Sequence, residues 1–161
     1  MFNTPEFARD MKRGEEAQVD ALLRAAFGGP EEAELVAKLR KARLIAGEQV
    51  MPMGGRIVGY YALSNMVKPK GWLCLAPVAI APDVHRRGYG KRMIGMLTEW
   101  ARITQTPVVV LGEPAFYEKA GFSRKGAAAL TGPYPIDHTM VCGLAGAPAQ
   151  DLIYPPSFNG V

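Results

Sequence analysis

Cysteine is scarce: the chain holds two in 161 residues, Cys74 and Cys142, both in apolar, strand-like stretches and without any C-x-x-C spacing. That argues against a disulfide scaffold and against a zinc site, so no metal is expected and a reducing, cytoplasmic setting is the expectation. Long hydrophobic runs are missing too. The N-terminal MFNTPEFARDMKRGEE has no apolar core of signal-peptide length, and the longest strongly apolar uncharged stretch, Gly71 to Pro82, is broken by Pro77. Neither export nor a membrane span is expected. A surplus of one charge is almost absent: nineteen Lys and Arg against fifteen Asp and Glu leave +4, too little and too evenly mixed for a general nucleic-acid or membrane surface. Four of the nineteen, Arg86, Arg87, Lys91 and Arg92, fall in the octapeptide His85–Arg92, and the fifteen that remain balance the fifteen acids. The excess is therefore local. Aromatic residues are not interleaved with these cations, which weighs further against nucleic acid as a partner.

What is present is one ordinary globular domain, 48% hydrophobic and long enough to bury a core. Residues 6–13 alternate loosely and predict a short strand. Val19, Leu22, Leu23, Ala26 and Phe27 then recur at helical period until Gly28-Gly29-Pro30 stops the run. A second helix is predicted over Glu31 to Arg43, acidic in its first turn and basic in its last, the order a helix dipole favours. Leu44 to Met51 and Arg56 to Leu63 predict a hairpin turning at Gly54-Gly55. Trp72 to Ile80 predicts a central strand, anomalous in carrying Pro77, which a central strand tolerates only at a bulge or where it parts from a neighbour. A third helix follows over Gly90 to Arg102, then a short buried strand at Pro107 to Leu111 and a one- or two-turn helix at Pro114 to Lys119. Gly121-Phe122-Ser123 and Thr139 to Leu144 supply the last strands. Ala145 to Val161 reads as an irregular extension over the surface.

The order strand, Pro82-Asp83-Val84-His85-Arg86-Arg87-Gly88-Tyr89-Gly90-Lys91, helix has a direct chemical reading. A helix N-terminus presents unpaired N–H groups and partial positive charge. Gly88 and Gly90 let the backbone turn its amides inward and let a phosphate approach, and the neighbouring cations add charge-assisted donors. A pyrophosphate pocket is one outcome; a solvated basic loop before a helix is the other. Two phosphate loops are excluded by spacing. Gly90-Lys91 is followed by Arg92 rather than the Ser or Thr of the Walker pattern, and the third glycine or alanine of the dinucleotide fingerprint is replaced by Met93.

The run Val78 to Lys91 resembles the acetyl-CoA-binding motif of the GNAT-type N-acetyltransferases, Gln/Arg-x-x-Gly-x-Gly/Ala after a strand ending near proline. A second stretch, Ala115-Phe116-Tyr117-Glu118-Lys119-Ala120-Gly121-Phe122, is similar to that superfamily's A-x-x-Y-E-K-x-G-F element, and the order of elements agrees over roughly residues 5–145. The Gly-Glu-Pro-Ala entry, Pro133-Tyr134 and the proline-rich end resemble a small bacterial branch of predicted acetyltransferases. His85 stands where Gln or Arg is usual, and the Asn that often precedes the second motif is absent.

The resemblance implies an α/β (mixed α+β) single domain, a central mixed sheet of six to seven strands splayed between the fourth and fifth, and about four helices. It implies a domain over 1–147 and an extension over 148–161. It also implies acetyl-CoA as the acetyl donor, attacked directly in a ternary complex by a primary amine of a small molecule, peptide or protein. Val78, Ala79 and Ile80 would pair with the pantetheine arm, and Arg86, Arg87, Gly88, Tyr89, Gly90 and Lys91 would take the pyrophosphate. Tyr117 matches the tyrosine that protonates the leaving sulfur; its other reading is a packing residue at a helix end. Glu48, His85 and Glu113 are candidate general bases by charge or titration range, without one standing out. A non-catalytic CoA- or acyl-CoA-binding regulatory module is the alternative function. The acceptor-selecting loops are expected at 27–33, 64–71 and 126–138, and an exposed sheet edge with an apolar tail is compatible with a homodimer.

Overall fold

A computed structural model describes residues 4–158. The amphipathic stripes become helices α1 (Glu16–Phe27) and α2 (Glu31–Lys41), which bury Val19, Leu22 and Leu23, and Ala33, Leu35, Val36 and Leu39. α1 ends at Gly28 in the left-handed region, and α2 stops before Arg43, whose φ is 57°. The remaining elements are β1 (Arg9–Asp10), β2 (Ile45–Met53), β3 (Arg56–Asn65), β4 (Leu73–Ile80), α3 (Tyr89–Thr104), β5 (Val108–Leu111), α4 (Pro114–Lys119) and β6 (Thr139–Cys142). They form one six-stranded mixed sheet in the order β1-β2-β3-β4-β5-β6, antiparallel except for the β4–β5 pair.

Two expectations change at the sheet's edges. The first strand contracts from eight residues to two. Gly121-Phe122-Ser123 is not a strand: Ser123 makes a bridge to Val141, so among the described residues six strands stand where six or seven were expected.

The sheet opens where Pro77 lies. Along β4–β3 the partners step from Val78 opposite Tyr61 to Leu75 opposite Leu63, so Ala76 and Pro77 together face Ala62. Pro77 therefore occupies a bulge, the position where a missing N–H costs no ladder bond. On the other edge β4 pairs with β5 only over Leu73 to Leu75. Beyond Leu75 and Val110 the two parallel strands part, and the backbone of residues 76–80 faces a gap.

Around β4–β6 the two faces of the sheet are closed by different parts of the chain. Val108, Val110, Met140 and Cys142 join the cluster containing Met93, Ile94, Leu97 and Ala101 of α3. The alternate positions Cys74, Val109 and Val141 pack with Leu35 and Leu39 of α2 and with Leu152, Tyr154 and Phe158. The described part of the tail does not merely cross the surface: these three residues are 4–8% exposed, and the tail is tied by bridges Lys68–Ile153 and Thr131–Asp151.

Candidate active site

The gap between β4 and β5 is flanked by two cavities that meet at Val78 and Tyr117. The first, of ≈ 560 Å³, is bounded by Val78 and Ile80 on β4, by Val84 to Arg86 and Gly88 to Lys91, and by Phe116 and Tyr117 on α4. The second, of ≈ 290 Å³, is lined by Leu75 to Val78, Leu111 and Tyr117 together with Phe27, Glu32, Tyr134, Tyr154 and Phe158.

The first cavity is floored by backbone groups that β3 leaves unpaired. Ala81 N–H donates to the Val58 carbonyl at 2.8 Å. Hydrogen-bonded pairs alternate in an antiparallel ladder, so Ala79 opposite Tyr60 is the next such pair, while Val78 and Ile80 turn their amides and carbonyls away from β3 into the gap. Of the three β4 residues singled out from the sequence, Val78 and Ile80 thus face the gap. Ala79 is buried in the core with its amide committed to β3.

At the far end of this cavity the chain passes through a short 3-10 turn, Pro82–Val84, fixed from outside by a two-pronged Arg56–Asp83 pair at 2.7 Å. The Arg56 guanidinium holds the Asp83 carboxyl below its ordinary range. His85 folds back so that Nε2 lies 2.6 Å from the Ile80 carbonyl oxygen, tying the loop to the end of β4. Arg86 and Gly88 both adopt the left-handed region, at φ 65° and 80°, and Gly88 is the N-cap of α3. That geometry, which glycine accepts without strain, turns the amides of Arg87 to Lys91 toward one side; among the described residues none of them has a hydrogen-bond acceptor. Arg86, Arg87 and Lys91 are exposed around this nest.

Arg92 does not join them. Its Nη2 donates to the carbonyls of Pro5 and Glu6 at 3.1 and 3.0 Å, and its guanidinium lies 5.6 Å from the Phe7 ring and 5.8 Å from the Tyr89 ring. One of the four cations read as local phosphate donors is instead a clasp for the N-terminal segment.

Tyr117 stands between the cavities. Its ring is edge-on to Phe116 at 4.9 Å and to Phe122 at 5.7 Å, and burial pushes its hydroxyl up to about 12. The ring lies directly over Gly112, where an added Cβ would come within 2.4 Å of it. Gly112 is therefore a seat for the tyrosine.

The candidate bases separate clearly. Glu48 lines neither cavity: its Oε1 accepts from Arg40 Nη2 at 2.7 Å, Arg40 Nε at 3.0 Å and the Tyr60 hydroxyl at 2.5 Å. This ties α2 to β2 and β3, and burial with the neighbouring carboxylate raises the Tyr60 hydroxyl well above its ordinary value. A structural role predicts that Glu48→Ala, which strands a half-buried guanidinium and a fully buried hydroxyl, costs ~2–4 kcal/mol and lowers Tm by roughly 5–15 °C. The pH–rate profile of the folded variant is expected to keep its shape; loss of its acidic limb would restore Glu48 as the base. Glu113 is exposed at the cap of α4 and lines neither cavity. Glu32, not singled out from the sequence, is the one carboxylate among the described residues that lines the second cavity. Its sequence signal was masked, because three acids in the first turn of α2 are accounted for by the helix dipole alone. Tyr154 and Phe158 carried no signal. Among the described residues no three His, Cys, Asp or Glu side chains are grouped to hold a metal, and no helix is long and apolar enough to cross a membrane.

Comparison with known proteins agrees with this geometry. Residues 40–124, just over half of the chain, match the family model of the acetyltransferase (GNAT) domain. Over 110 residues the chain is 33% identical to the N-acetyltransferase YhbS of Escherichia coli strain K12; the match spans 65% of this chain and 65% of that relative's length. The fold is that of the crystal structure of YhbS from Escherichia coli in complex with CoA, with a TM-score of 0.86 at 24% identity over 99% of this chain and 94% of that one. A GNAT family acetyltransferase from Brucella melitensis in complex with acetyl-CoA superposes with a TM-score of 0.80 at 22% identity, covering 98% and 100% of the two chains. With its sheet parted at β4–β5 and a glycine nest capping α3, the chain belongs to the GNAT acetyltransferase family.

Proposed function

We propose that the protein is an acetyl-CoA-dependent N-acetyltransferase, with residues 1–147 as its catalytic domain and 148–161 as an extension that closes the acceptor side. The observation that carries this is the meeting of the two cavities at Val78 and Tyr117: one holds free amides suited to a pyrophosphate and a pantetheine, the other is shaped for a second molecule. Both neighbours named above are complexes with CoA or acetyl-CoA.

In this reading the amides of Arg87 to Lys91 bind the pyrophosphate, with Arg86, Arg87 and Lys91 adding charge. Pantetheine lies along the free edge of Val78 to Ile80. The free Val78 N–H faces the thioester carbonyl and stabilises the oxyanion as the amine nitrogen forms its bond to carbon. The acceptor arrives as an ammonium, loses one proton to water, and attacks. The C–S bond then breaks, and the sulfur takes up a proton while the nitrogen gives up its own.

Tyr117 does not act as a free proton donor to a finished thiolate. Its hydroxyl at about 12 against a thiol near 8.5 makes that transfer uphill by about 5 kcal/mol. It hydrogen-bonds the sulfur as charge develops and passes its proton only as the nitrogen's proton replaces it, so both transfers balance within the ternary complex. A neutral phenol is required for this, and burial keeps Tyr117 neutral across the physiological range.

The test combines melting and thiol release. Acetyl-CoA at a hundred times its Kd is expected to stabilise the protein by ~2.7 kcal/mol, raising Tm by roughly 5–10 °C. Amine-dependent release of CoA thiol should accompany it. A shift without thiol release across a broad amine panel would favour the non-catalytic acyl-CoA-binding module; no shift at millimolar acetyl-CoA would remove both.

A further inference from the structure

The cavity on the acceptor side has a wall chemistry that narrows what it can hold. Phe27, Tyr134, Tyr154 and Phe158 surround it, with Tyr134 and Tyr154 edge-on at 4.9 Å and Tyr154 and Phe158 at 6.2 Å. These rings come from the end of α1, the segment before β6, and the tail. Tyr134, Tyr154 and Phe158 hold one another, so that part of the wall is formed before a ligand arrives, while Phe27 is half-exposed at its rim. Among the described residues one carboxylate, Glu32, lines it, and no Lys, Arg or His does. The hydroxyl of Tyr154, a residue 8% exposed, is buried without a hydrogen-bond partner among the described residues. A cavity of ≈ 290 Å³ is small for an acceptor that must share its inner end with a thioester.

Each feature excludes a class of amine. A free amino acid brings a carboxylate, and no cation is there to receive it. A polyamine brings a second or third ammonium for which the described residues supply no second carboxylate, and burying an unpaired charge among aromatic rings is costly. An extended peptide is polar along its whole backbone and longer than a cavity of ≈ 290 Å³ lined mainly by rings and aliphatic side chains accommodates. A single ammonium on an aromatic or compact hydrocarbon body satisfies all of it: the body packs edge-to-face against the rings, and the ammonium meets Glu32 and the aromatic faces.

Resting on the acetyl-transfer reading above, we propose that the acceptor is a small arylalkyl monoamine, held by the Phe27–Tyr134–Tyr154–Phe158 cavity and selected as a cation by Glu32. Glu32 is a specificity-determining residue. Its role is to bind the ammonium, while proton loss to water and attack follow at Val78 and Tyr117.

The probe is 2-phenylethylamine, with 2-phenylethanol as the uncharged companion, and binding is measured by calorimetry with and without CoA so that no turnover is needed. The wild-type protein is expected to bind the amine at least about tenfold more tightly than the alcohol. Glu32→Gln should abolish that preference by weakening the amine alone, leaving alcohol affinity and CoA affinity within about threefold, which shows an intact cavity. In turnover the variant should raise KM for the amine about tenfold or more with kcat little changed. The proposal is overturned if Glu32→Gln binds the amine as well as wild type, if neither probe binds, or if spermidine, phenylalanine or a lysine peptide binds more tightly than 2-phenylethylamine. Absence of CoA binding or of thiol release with every amine counts instead against the acetyl-transfer reading, because calorimetry with the two probes reads the cavity independently.

Discussion

Gly88→Glu is expected to weaken acetyl-CoA binding by about a hundredfold or more and to abolish the acetyl-CoA shift in the melt. Two causes add. Gly88 sits at φ 80° as the N-cap of α3, a conformation that costs a side-chain residue ~1–2 kcal/mol. Nothing lies within 4 Å of the Cβ it would gain, so the substitution meets open space and the fold survives. The new carboxylate, however, would occupy the mouth of an amide nest suited to phosphate and repel it. Gly88→Ala separates the causes, since it carries the backbone strain without the charge. It should lose a few degrees of Tm yet keep most of its acetyl-CoA affinity. Should Gly88→Glu bind acetyl-CoA normally by calorimetry, the pyrophosphate lies elsewhere and the sequence motif has misled.

Tyr117→Phe is the second substitution with a large expected effect, a fall in kcat of about ten- to a hundredfold with acetyl-CoA affinity changed by less than about twofold. The ring keeps its edge-on contacts with Phe116 and Phe122, so what is lost is the hydroxyl at the junction of the cavities. The effect has a ceiling, because a thiolate is already a fair leaving group and the Val78 amide remains. Gly112→Ala reaches the same hydroxyl from behind. A Cβ 2.4 Å from the Tyr117 ring must push it out of place, so this variant should lose turnover while retaining the phenol itself. Equal turnover of wild type and Tyr117→Phe with a fast amine would leave Tyr117 as packing only; equal turnover of wild type and Gly112→Ala would mean that the ring's position does not matter.

How legible the protein was differs sharply between its two cavities. The cofactor side is written locally. A strand, two glycines two residues apart and a helix start are contiguous in the chain, and their chemistry is that of the backbone, which any sequence forming that turn must present. Even the anomaly of Pro77 pointed correctly to a place where pairing fails, although only the β3 register shows that Ala76 and Pro77 together face Ala62 in a bulge. Charge was less reliable. Arg92 is indistinguishable from Arg87 in a count, but one helical turn carries it round to the carbonyls of Pro5 and Glu6. Glu48 looked like a free acid on a strand until α2 placed Arg40 over it.

The acceptor side could not be read in the same way. Phe27, Glu32, Tyr134, Tyr154 and Phe158 come from four separate stretches of chain, and each is unremarkable where it stands: a helix end, a dipole-complementing acid, a turn residue, two aromatics in a proline-containing tail. They line one cavity only because the sheet parts beyond Leu75 and Val110 and the tail folds back over α2 and β4 to bury Leu152 and Phe158. Backbone chemistry repeats wherever the local pattern repeats, so the sequence by itself determined the family, the sheet-and-helix order and the glycine turn that caps α3. Side-chain walls assembled from distant segments have no local pattern, and the tertiary structure alone decided which acid lines the second cavity, where the Tyr117 ring lies and which side chains form that cavity's wall.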